Sequence, residues 1–560
     1  MGIQQFNEVM RAERVAFTYF GESKLTLHSC SFCIQSGSVV LVAGGNGSGK
    51  TTLLKLLAGT MQSHEGQLQG EITYGMHQDG TAPMMGFILQ EAKEQFVIGI
   101  VEDELAFAPE NLGLPRTVIV NRVEEQLERA DLRDLRLRQV QQLSGGEQQR
   151  TAVASVLTME PDVLLIDDAW SQMDKESRNR LSEQLQAWHG QGRTIILAVS
   201  RLDELAAEWQ HGWIREAHLL LLHNGRMVYD GKMPAYPTGT GLNDQPRMKD
   251  DLRILKLCRE AGIVPPQWGR SATTLDITIQ APCGIQKDEG EHFCHDRKIE
   301  THHRAACEDK VVLSVSNLNY CYHRNADQNR KDSGTNALHK VSFQLKAGQC
   351  MLLTGVNGSG KSTLFRILTG SLLKRSGRIE GKIQIAGKAV SKLRTYELAR
   401  LIGFAAQQPE SGFFAASVQE ELRDALLTAN QCGQLQIEEE MMEGQAVYAY
   451  EQVEREVGYR LRQYHLWDVK HVHPHDMPAG LKRLLSLAIA SAHEPGIIML
   501  DEPTASLDAA HAAFVRDWCL SQAERGRALL VATHDGIWQD VNHPRLVHAK
   551  MDRGSLHIDV

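Results

Sequence analysis

The chain contains one long internal repeat, which constrains its fold more than any other feature of the sequence. The segment AGGNGSGKTT at 43–52 recurs as TGVNGSGKST at 354–363, an offset of 311 residues (354 − 43). The segments GFILQ and GFAAQ, which end at Gln90 and Gln407, have an offset of 317 (407 − 90). Because the matching segments keep their order, we predict that the chain is two copies of one domain.

A third matching segment shows where the copies differ in length. IDD at 166–168 recurs as LDE at 500–502, an offset of 334 (500 − 166). The offset therefore grows by 17 residues (334 − 317) after Gln407. We expect the extra residues in the stretch 429–456, which is rich in Gln and Glu.

The length and composition fit two soluble domains. A chain of 560 residues exceeds what one hydrophobic core usually covers, and we predict domains at 8–232 and 309–560 with a linker or accessory segment at 233–308. The net charge of −9 gives no support to a nucleic-acid-binding surface, so no nucleic-acid partner is expected. No apolar run approaches the ~20 residues of a membrane-spanning helix. No signal-peptide pattern precedes residue 12, so we expect reduced cysteines and a cytoplasmic chain.

Two groups of cysteines are interpreted as neither redox-active nor metal-binding. Cys30 and Cys33 have CxxC spacing, but they lie in the segment 25–34, where apolar residues roughly alternate, so a strand is favoured over a redox motif. The Cys and His residues of 283–307 match no compact zinc pattern, so a solvated linker is favoured over a metal site.

Each copy contains a complete phosphate-binding loop. The segments 44–51 and 355–362 match G-x-x-x-x-G-K-[ST], follow an apolar strand-like run and precede an apolar-periodic helix. In such a loop backbone N–H groups converge on phosphate oxygens at a helix N-terminus, the lysine reaches the β- and γ-phosphates, and the Ser or Thr hydroxyl binds Mg²⁺. The predicted ATP-binding residues here are Gly44, Gly45, Asn46, Gly47, Ser48, Gly49, Lys50, Thr51 and Thr52, with Gly355, Val356, Asn357, Gly358, Ser359, Gly360, Lys361, Ser362 and Thr363 in the second copy.

An aspartate ends an apolar run in each copy. VLLID ends at Asp167 and IIMLD ends at Asp501. A buried parallel strand would carry each carboxylate to its C-terminal end, beside the phosphate-binding loop, where it can hold Mg²⁺. We therefore expect Asp167 with Thr51, and Asp501 with Ser362, to be the magnesium ligands.

These motifs, in this order, resemble those of ATP-binding cassette (ABC) ATPases. LSGGEQQR at 143–150 is similar to the family's signature motif, and DEPTASLD at 501–508 is similar to its Walker B motif and D-loop. The resemblance implies a P-loop α/β fold for each copy: a parallel-sheet core, an antiparallel β subdomain and a helical subdomain that carries the signature. It also implies ATP hydrolysis with ATP and Mg²⁺.

The resemblance assigns roles to further residues. Glu502 corresponds to the catalytic glutamate and His534 to the histidine that contacts the γ-phosphate, with Lys361 as the third catalytic residue. Gln90 and Gln407 correspond to the Q-loop glutamine, which links Mg²⁺ and water to the partner surface, so the resemblance implies that both belong to the metal site. Tyr19 and Tyr322 correspond to the aromatic residue that stacks on adenine. The signature residues expected to contact ATP are Ser144, Gly145, Gly146 and, in the second copy, Gly480.

The two copies differ at positions that carry the chemistry. Asp168 stands where Glu502 stands in the second copy, and Ser200 stands where His534 stands. Ser144-Gly145-Gly146 corresponds to Pro478-Ala479-Gly480 in the second copy. Proline has neither a hydroxyl nor an N–H group to donate to a phosphate.

In the family, cassettes pair head to tail, so that each ATP lies between one domain's Walker motifs and the other domain's signature. Site one would then combine the first domain's Walker motifs with Pro478-Ala479-Gly480, and site two the second domain's Walker motifs with Ser144-Gly145-Gly146. All three departures fall in site one, which favours intramolecular pairing of the two domains. We expect site one to bind ATP without efficient hydrolysis and site two to hydrolyse it.

Within the family, the segments 90–97, 100–107 and 109–113 are similar to those of energy-coupling factor (ECF) transporter ATPases, and 407–413 with 418–422 are similar to a lesser degree. This resemblance implies uptake of a vitamin, a vitamin precursor or a metal ion. It also implies a transmembrane T-type subunit and a substrate-binding S-type subunit as partners, on the cytoplasmic side of the cell membrane. We expect a docking groove for a membrane helix in 90–107, near Gln95 and Phe96. The alternative is a duplicated ABC protein that acts on ribosomes or as an ATP-gated scaffold.

Overall fold

A computed structural model describes most of the chain. The described residues are 8–21, 25–173, 175–205, 212–214, 216–233, 254, 257–258, 261, 263, 310–322, 335–356, 358–372, 377–434, 443–538 and 541–558. Asn357 and the Cys/His stretch 283–307 lie outside them. None of the described helices is long and apolar enough to cross a membrane.

The first domain contains two β-sheets. A three-stranded antiparallel sheet has the order β2–β1–β4, and a six-stranded sheet has the order β5–β6–β7–β3–β8–β9. The strands are β1 (Glu8–Tyr19), β2 (Leu27–Gln35), β3 (Val39–Gly44), β4 (Gly66–Tyr74), β5 (Met85–Ile88), β6 (Val163–Asp167), β7 (Thr194–Val199), β8 (His218–His223) and β9 (Arg226–Lys232). All strands of the larger sheet are parallel except β9, and β3, β6 and β7 are buried along their whole length. Apolar runs without alternation are typical of such covered strands.

The second domain repeats this arrangement. Its six-stranded sheet has the order β15–β16–β17–β12–β18–β19, and its antiparallel sheet has the order β11–β10–β13–β14. The strands are β10 (Val311–Tyr322), β11 (Thr335–Lys346), β12 (Cys350–Thr354), β13 (Gly377–Ile385), β14 (Lys388–Ala389), β15 (Ile402–Ala405), β16 (Ile497–Asp501), β17 (Ala528–Ala532), β18 (Leu546–Asp552) and β19 (Ser555–Ile558). The predicted fold, two domains with a parallel-sheet core and an antiparallel β subdomain, is confirmed.

The helices place the sequence motifs around these sheets. In the first domain they are α1 (Lys50–Leu57), α2 (Val101–Asn111), α3 (Arg116–Arg129), α4 (Gly145–Leu157) and α5 (Lys175–His189). In the second domain they are α6 (Lys361–Leu368), α7 (Thr395–Leu401), α8 (Val418–Gln434), α9 (Glu443–Gln463), α10 (Ala479–Ala490) and α11 (Ala509–Glu524). α2, α3 and α4 contact one another and share a small core that includes Val101, Leu105 and Leu127. They form the predicted helical subdomain.

The extra residues of the second copy lengthen its helical subdomain. α8 has 17 residues where α2 has 11, and α9 has 21 residues where α3 has 14. The predicted stretch, 429–456, covers the end of α8 and the first part of α9.

Part of the segment assigned to the linker belongs to the core of the first domain. Ile254, Cys258, Ala261 and Ile263 are buried in the same cluster as residues of β3, β6 and β7. The CxxC pair behaves as predicted: Cys30 and Cys33 lie in β2 as free thiols, and burial raises the pKa of both.

Candidate functional site

The phosphate-binding loops connect β3 to α1 and β12 to α6. Gly47 and Gly49 have φ angles of 74° and 96°, and Gly358 and Gly360 have 79° and 106°. These angles lie in the left-handed region, which glycine enters without a steric cost and which turns successive N–H groups inwards. Among the described residues the buried hydroxyls of Ser48 and Ser359 have no hydrogen-bond partner. Both loops are thus formed as the sequence predicts.

The loop lysines are buried and bend back onto their own loops. Lys50 Nζ donates to the carbonyl oxygens of Gly44 at 2.7 Å and Gly45 at 3.0 Å, and Lys361 Nζ donates to that of Gly355 at 2.6 Å. Burial lowers the pKa of Lys50, against the opposing effect of the nearby aspartates. A phosphate group would give each lysine a charged partner in place of neutral carbonyls.

The strand-end aspartates fit a magnesium ion. Asp167 is buried and hydrogen-bonded to Thr51, and burial raises its pKa to about 6. Asp501 has the same relation to Ser362, and burial together with Glu502 raises its pKa to about 6. A cation would favour the charged form of both carboxylates. Mg²⁺ typically takes one or two protein oxygens and completes its shell with water and substrate phosphates, so one carboxylate and one hydroxyl in each domain fit this ion.

The residue directly after each of these aspartates carries the carboxylate that differs between the copies. Asp168 and Glu502 have φ angles of 45° and 53°, in a region that non-glycine residues rarely adopt. Their N–H groups donate to the equivalent carbonyls of Ala198, at 3.1 Å, and Ala532, at 2.9 Å. The backbone therefore presents both side chains in the same way, and their different lengths decide how far each carboxylate reaches.

The partners of these carboxylates also differ. Glu502 Oε1 lies 2.9 Å from His534 Nδ1, whereas Asp168 Oδ2 accepts a hydrogen bond of 2.7 Å from Ser200 Oγ. Burial alone would raise the pKa of Glu502 and lower that of His534, but their attraction outweighs it and shifts both in the opposite direction. Burial raises the pKa of Asp168, and Lys50 and Ser200 oppose that shift only in part. The pair therefore favours the charged form of both groups, the carboxylate of Glu502 and the imidazolium of His534.

The structure brings the predicted site-one residues together. Asn46, in the first phosphate-binding loop, donates from its N–H to Asp508 Oδ2 at 2.9 Å and from Nδ2 to the Ser506 carbonyl at 3.0 Å. Gly480 lies so close that a Cβ added to it would be 2.0 Å from Asn46 Nδ2. Pro478 begins α10 without a side-chain cap. The first domain's phosphate-binding loop therefore faces the signature position of the second domain.

Site two is assembled in the same head-to-tail manner. Ser144 caps α4: its Oγ accepts from the Glu147 N–H at 3.4 Å, and its own N–H donates to Glu147 Oε2 at 2.7 Å. A cavity of about 200 Å³ lies between this turn and Val356 of the second phosphate-binding loop. Arg178, in α5 of the first domain, lies 3.5 Å from His534 Nε2.

The remaining predicted residues lie where the motifs place them. The hydroxyls of Tyr19 and Tyr322 lie 3.1 Å from those of Thr52 and Thr363, so each ring borders its own phosphate-binding loop. Gln90 and Gln407 follow β5 and β15, beside the strands that end in Asp167 and Asp501. Ala479 is half-buried in the first turn of α10.

Sequence reasoning missed several residues at this interface. Arg201 forms a bidentate ion pair with Asp535 of the other domain, at 2.6 and 2.9 Å. The Ala261 carbonyl accepts a 2.9 Å hydrogen bond from the N–H of Gly45, so the accessory segment touches the first phosphate-binding loop. The ion pair had a detectable signal, because positions 201 and 535 are equivalent in the repeat and carry opposite charges. Nothing in the local sequence indicates the Ala261 contact.

Comparisons with known proteins show the family of this chain. The family profile described as ABC transporter matches residues 27–171 and 338–505, together more than half of the chain. A putative ABC transporter ATP-binding protein of Methanosarcina mazei is 28% identical over 542 residues, covering 94% of this chain and 85% of its own. The putative HMP/thiamine import ATP-binding protein YkoD of Bacillus subtilis is 27% identical over 545 residues, covering 95% and 88%. The solved structure of cbiO1 from Clostridium perfringens, part of the ABC transporter complex cbiONQ, covers 40% of this chain and 89% of its own, with 23% identity and a TM-score of 0.34. The chain belongs to the ABC transporter family, as an ATP-binding protein with two ATPase domains that use ATP and Mg²⁺.

Proposed function

We propose that this ABC ATPase drives an ECF-type importer, in which it binds a T-type transmembrane subunit beside an S-type substrate-binding subunit. Site two hydrolyses ATP and site one acts as a degenerate clamp. The chain would then lie at the cytoplasmic face of the membrane, and the other subunits would select the substrate. The name of the relative YkoD, an import protein for HMP or thiamine, supports import of a small vitamin precursor.

The observation that carries this proposal is a pair of exposed apolar loops at equivalent places in the two domains. After the Q-loop glutamine of the first domain, Val97 and Ile98 are 65% and 48% exposed. In the second domain Phe414, at the position of Val97 in the repeat (414 − 97 = 317), is 88% exposed. Large apolar side chains at matching places on two domains indicate a protein contact rather than scattered surface residues.

A buried glutamate holds each of these loops in shape. Glu104 accepts hydrogen bonds from the N–H groups of Val97, Ile98 and Gly99 at 2.7 to 3.0 Å. Its counterpart Glu421 accepts from those of Phe414 and Ala415, both at 2.8 Å. The loops are therefore ordered before any partner binds, which reduces the entropy cost of docking.

We place the centre of the proposed docking groove one or two residues after Gln95 and Phe96, where it was expected. Phe96 packs against the core of the helical subdomain, and Gln95 is bonded to the backbone, accepting from the Leu89 N–H and donating to the Ala152 carbonyl, both at 3.2 Å. Gln95 thereby connects the docking loop to α4, the signature helix. The residues available to a membrane helix are Val97 and Ile98.

The mechanism proposed for site two uses the paired Glu502 and His534. Glu502, held as a carboxylate, accepts a hydrogen bond from the attacking water and orients it towards the γ-phosphate. His534 Nδ1 faces Glu502, and Nε2, which lies 3.5 Å from Arg178 Nη2, would contact the γ-phosphate of bound ATP. Lys361 stabilises charge that develops on the phosphate, together with the N–H groups at the start of α4. Mg²⁺, held by Asp501 and Ser362, supplies neutralisation of the phosphate oxygens when bound.

Co-expression with the membrane proteins encoded beside the gene tests this function. The chain should co-purify from detergent with a hydrophobic subunit, and Val97→Asp combined with Phe414→Asp should reduce the recovered complex at least tenfold. Leu68→Asp combined with Tyr396→Asp, which changes large side chains elsewhere that are 47% and 54% exposed, should leave recovery unchanged. Co-sedimentation with ribosomes, or full recovery of the membrane complex after the loop substitutions, would contradict the proposal.

A further inference from the structure

A buried ion pair between the two domains joins equivalent positions of the repeat. Arg201 Nη1 lies 2.6 Å from Asp535 Oδ2 and Nη2 lies 2.9 Å from Oδ1, with the two side chains 4% and 10% exposed. Their separation is 334 residues (535 − 201), the offset that relates Asp167 to Asp501. Arg201 directly follows Ser200, and Asp535 directly follows His534, the residue expected to contact the γ-phosphate.

A second contact has the same property. Lys93 Nζ lies 3.9 Å from Glu410 Oε2. Their separation is 317 residues (410 − 93), the offset that relates Gln90 to Gln407. Lys93 also lies 3.4 Å from Glu91, and Glu410 lies 3.5 Å from Lys482.

Contacts between equivalent positions occur where the axis relating two similar domains passes through their interface. If two identical cassettes paired in this way, each residue at the axis would face a copy of itself. Two first domains would bring Arg201 against Arg201 and Lys93 against Lys93. Two second domains would bring Asp535 against Asp535 and Glu410 against Glu410.

The physical consequence is strongest at the buried pair. A like-charge contact taken out of water gains no attraction to offset the loss of hydration, and a lone buried charge is also costly. The pairing of a first with a second domain stabilises the charged form of Asp535. Arg201 outweighs the effect of burial and holds the pKa of that carboxyl below its ordinary value. Lys93 and Glu410 are less buried, and each also has an opposite charge in its own domain, Glu91 and Lys482. Both their attraction and the repulsion they add to the wrong pairings are therefore weak.

We propose that these two opposite-charge contacts at the pseudo-twofold axis determine which cassettes pair, by favouring a first domain with a second domain and disfavouring two copies of either. Such specificity comes as much from repulsion in the wrong pair as from attraction in the right one. It goes beyond the transport function, because it concerns assembly of the ATPase itself and needs no membrane subunit.

Charge exchange in the full chain tests the buried contact. Arg201→Asp and Asp535→Arg, made singly, should each lower the steady-state ATPase rate at least tenfold, and the double exchange should recover at least fivefold over either single variant. An equimolar mixture of the two single variants should regain activity in a concentration-dependent manner and form a two-chain species in sedimentation, because complementary charges then meet only between chains.

The Lys93–Glu410 contact and a remote pair complete the test. Lys93→Glu, Glu410→Lys and their double exchange should follow the same pattern with smaller changes, of about two- to threefold, because this contact is longer and less buried than the first. Arg129→Glu with Glu125→Arg, a pair within α3, should change nothing singly or together. If neither double exchange exceeds its single variants while thermal unfolding matches the wild type, the pairing proposal is wrong, whatever the result of the membrane assay.

Discussion

Glu502 and His534 form a buried pair in which Oε1 and Nδ1 are 2.9 Å apart. The same place in the first domain holds Asp168 and Ser200, joined by a 2.7 Å hydrogen bond. The first pair combines a glutamate with an imidazole whose second nitrogen is not used in this contact, whereas the second combines a carboxyl group one methylene shorter with a hydroxyl. This difference underlies the proposed asymmetry of the two ATP sites.

Hydrolysis should depend on Glu502 and hardly on Asp168. Glu502→Gln removes the carboxylate proposed to orient the attacking water, and we expect the ATPase rate to fall about 10²-fold or more. Asp168→Asn should leave most of the rate, since that carboxyl group is one methylene shorter and accepts a hydrogen bond from Ser200. Steady-state ATPase rates of both variants test this prediction. Equal losses would contradict one hydrolytic and one clamping site.

Substitutions at His534 and at its counterpart Ser200 should show the same asymmetry. His534→Ala should lower the ATPase rate sharply, because it removes both the partner of Glu502 and the group that faces the γ-phosphate. Ser200→Ala should lower it little. Binding of a fluorescent ATP analogue, measured on the same samples, separates loss of chemistry from loss of binding.

The stabilisation from Arg201 and Asp535 should depend on pH in a defined direction. Because the folded-state pKa of Asp535 is depressed, its contribution is present above the unfolded pKa of about 3.9 and is lost as pH falls through the folded value. Arg201→Met should therefore destabilise the protein most near neutral pH, and the difference should shrink below about pH 4. Thermal unfolding of both proteins from pH 3.5 to 7.5 measures this. A difference that stays constant over this range would contradict the prediction.

The docking loop of the first domain should loosen without Glu104. Glu104→Ala leaves three N–H groups without their acceptor, at a cost of about 1–3 kcal/mol. Amide exchange of residues 97–99 should accelerate, while exchange in α4 should change little. Glu110→Ala, at an exposed position of the same helix, serves as the control. Unchanged exchange in the loop would show that Glu104 does not order it.

Close approach at Gly480 should not tolerate a side chain. Gly480→Ala places a methyl group against Asn46 and within 2.9 Å of the Ser506 carbonyl. We expect the Asn46–Ser506 hydrogen bond to break and nucleotide binding at site one to weaken. Gly496→Ala, where a Cβ would meet nothing within 4 Å, should leave nucleotide binding unchanged. Equal nucleotide affinity in the two variants would contradict the contact.

Much of each domain was predictable from local sequence. The glycines of both phosphate-binding loops and the apolar strands that end in Asp167 and Asp501 have patterns that only one kind of local structure satisfies. The repeat supports each of these inferences twice, and alignment of the two copies is enough to identify Asp168 and Ser200 as departures. The role of Phe96 was less predictable, because its burial against the helical core depends on α3 and α4, which local sequence does not place.

The sequence by itself determined two P-loop domains and the residues that could bind ATP and Mg²⁺, because those motifs act over short stretches of chain. Only the tertiary structure decided which surfaces meet: Gly480 against Asn46, Arg201 with Asp535, and the Ala261 carbonyl on Gly45. The residues in these contacts are 216 to 434 positions apart (261 − 45 and 480 − 46). Hydrogen bonds and ion pairs act over a few ångströms, so they depend on how the domains pack and not on separation along the chain.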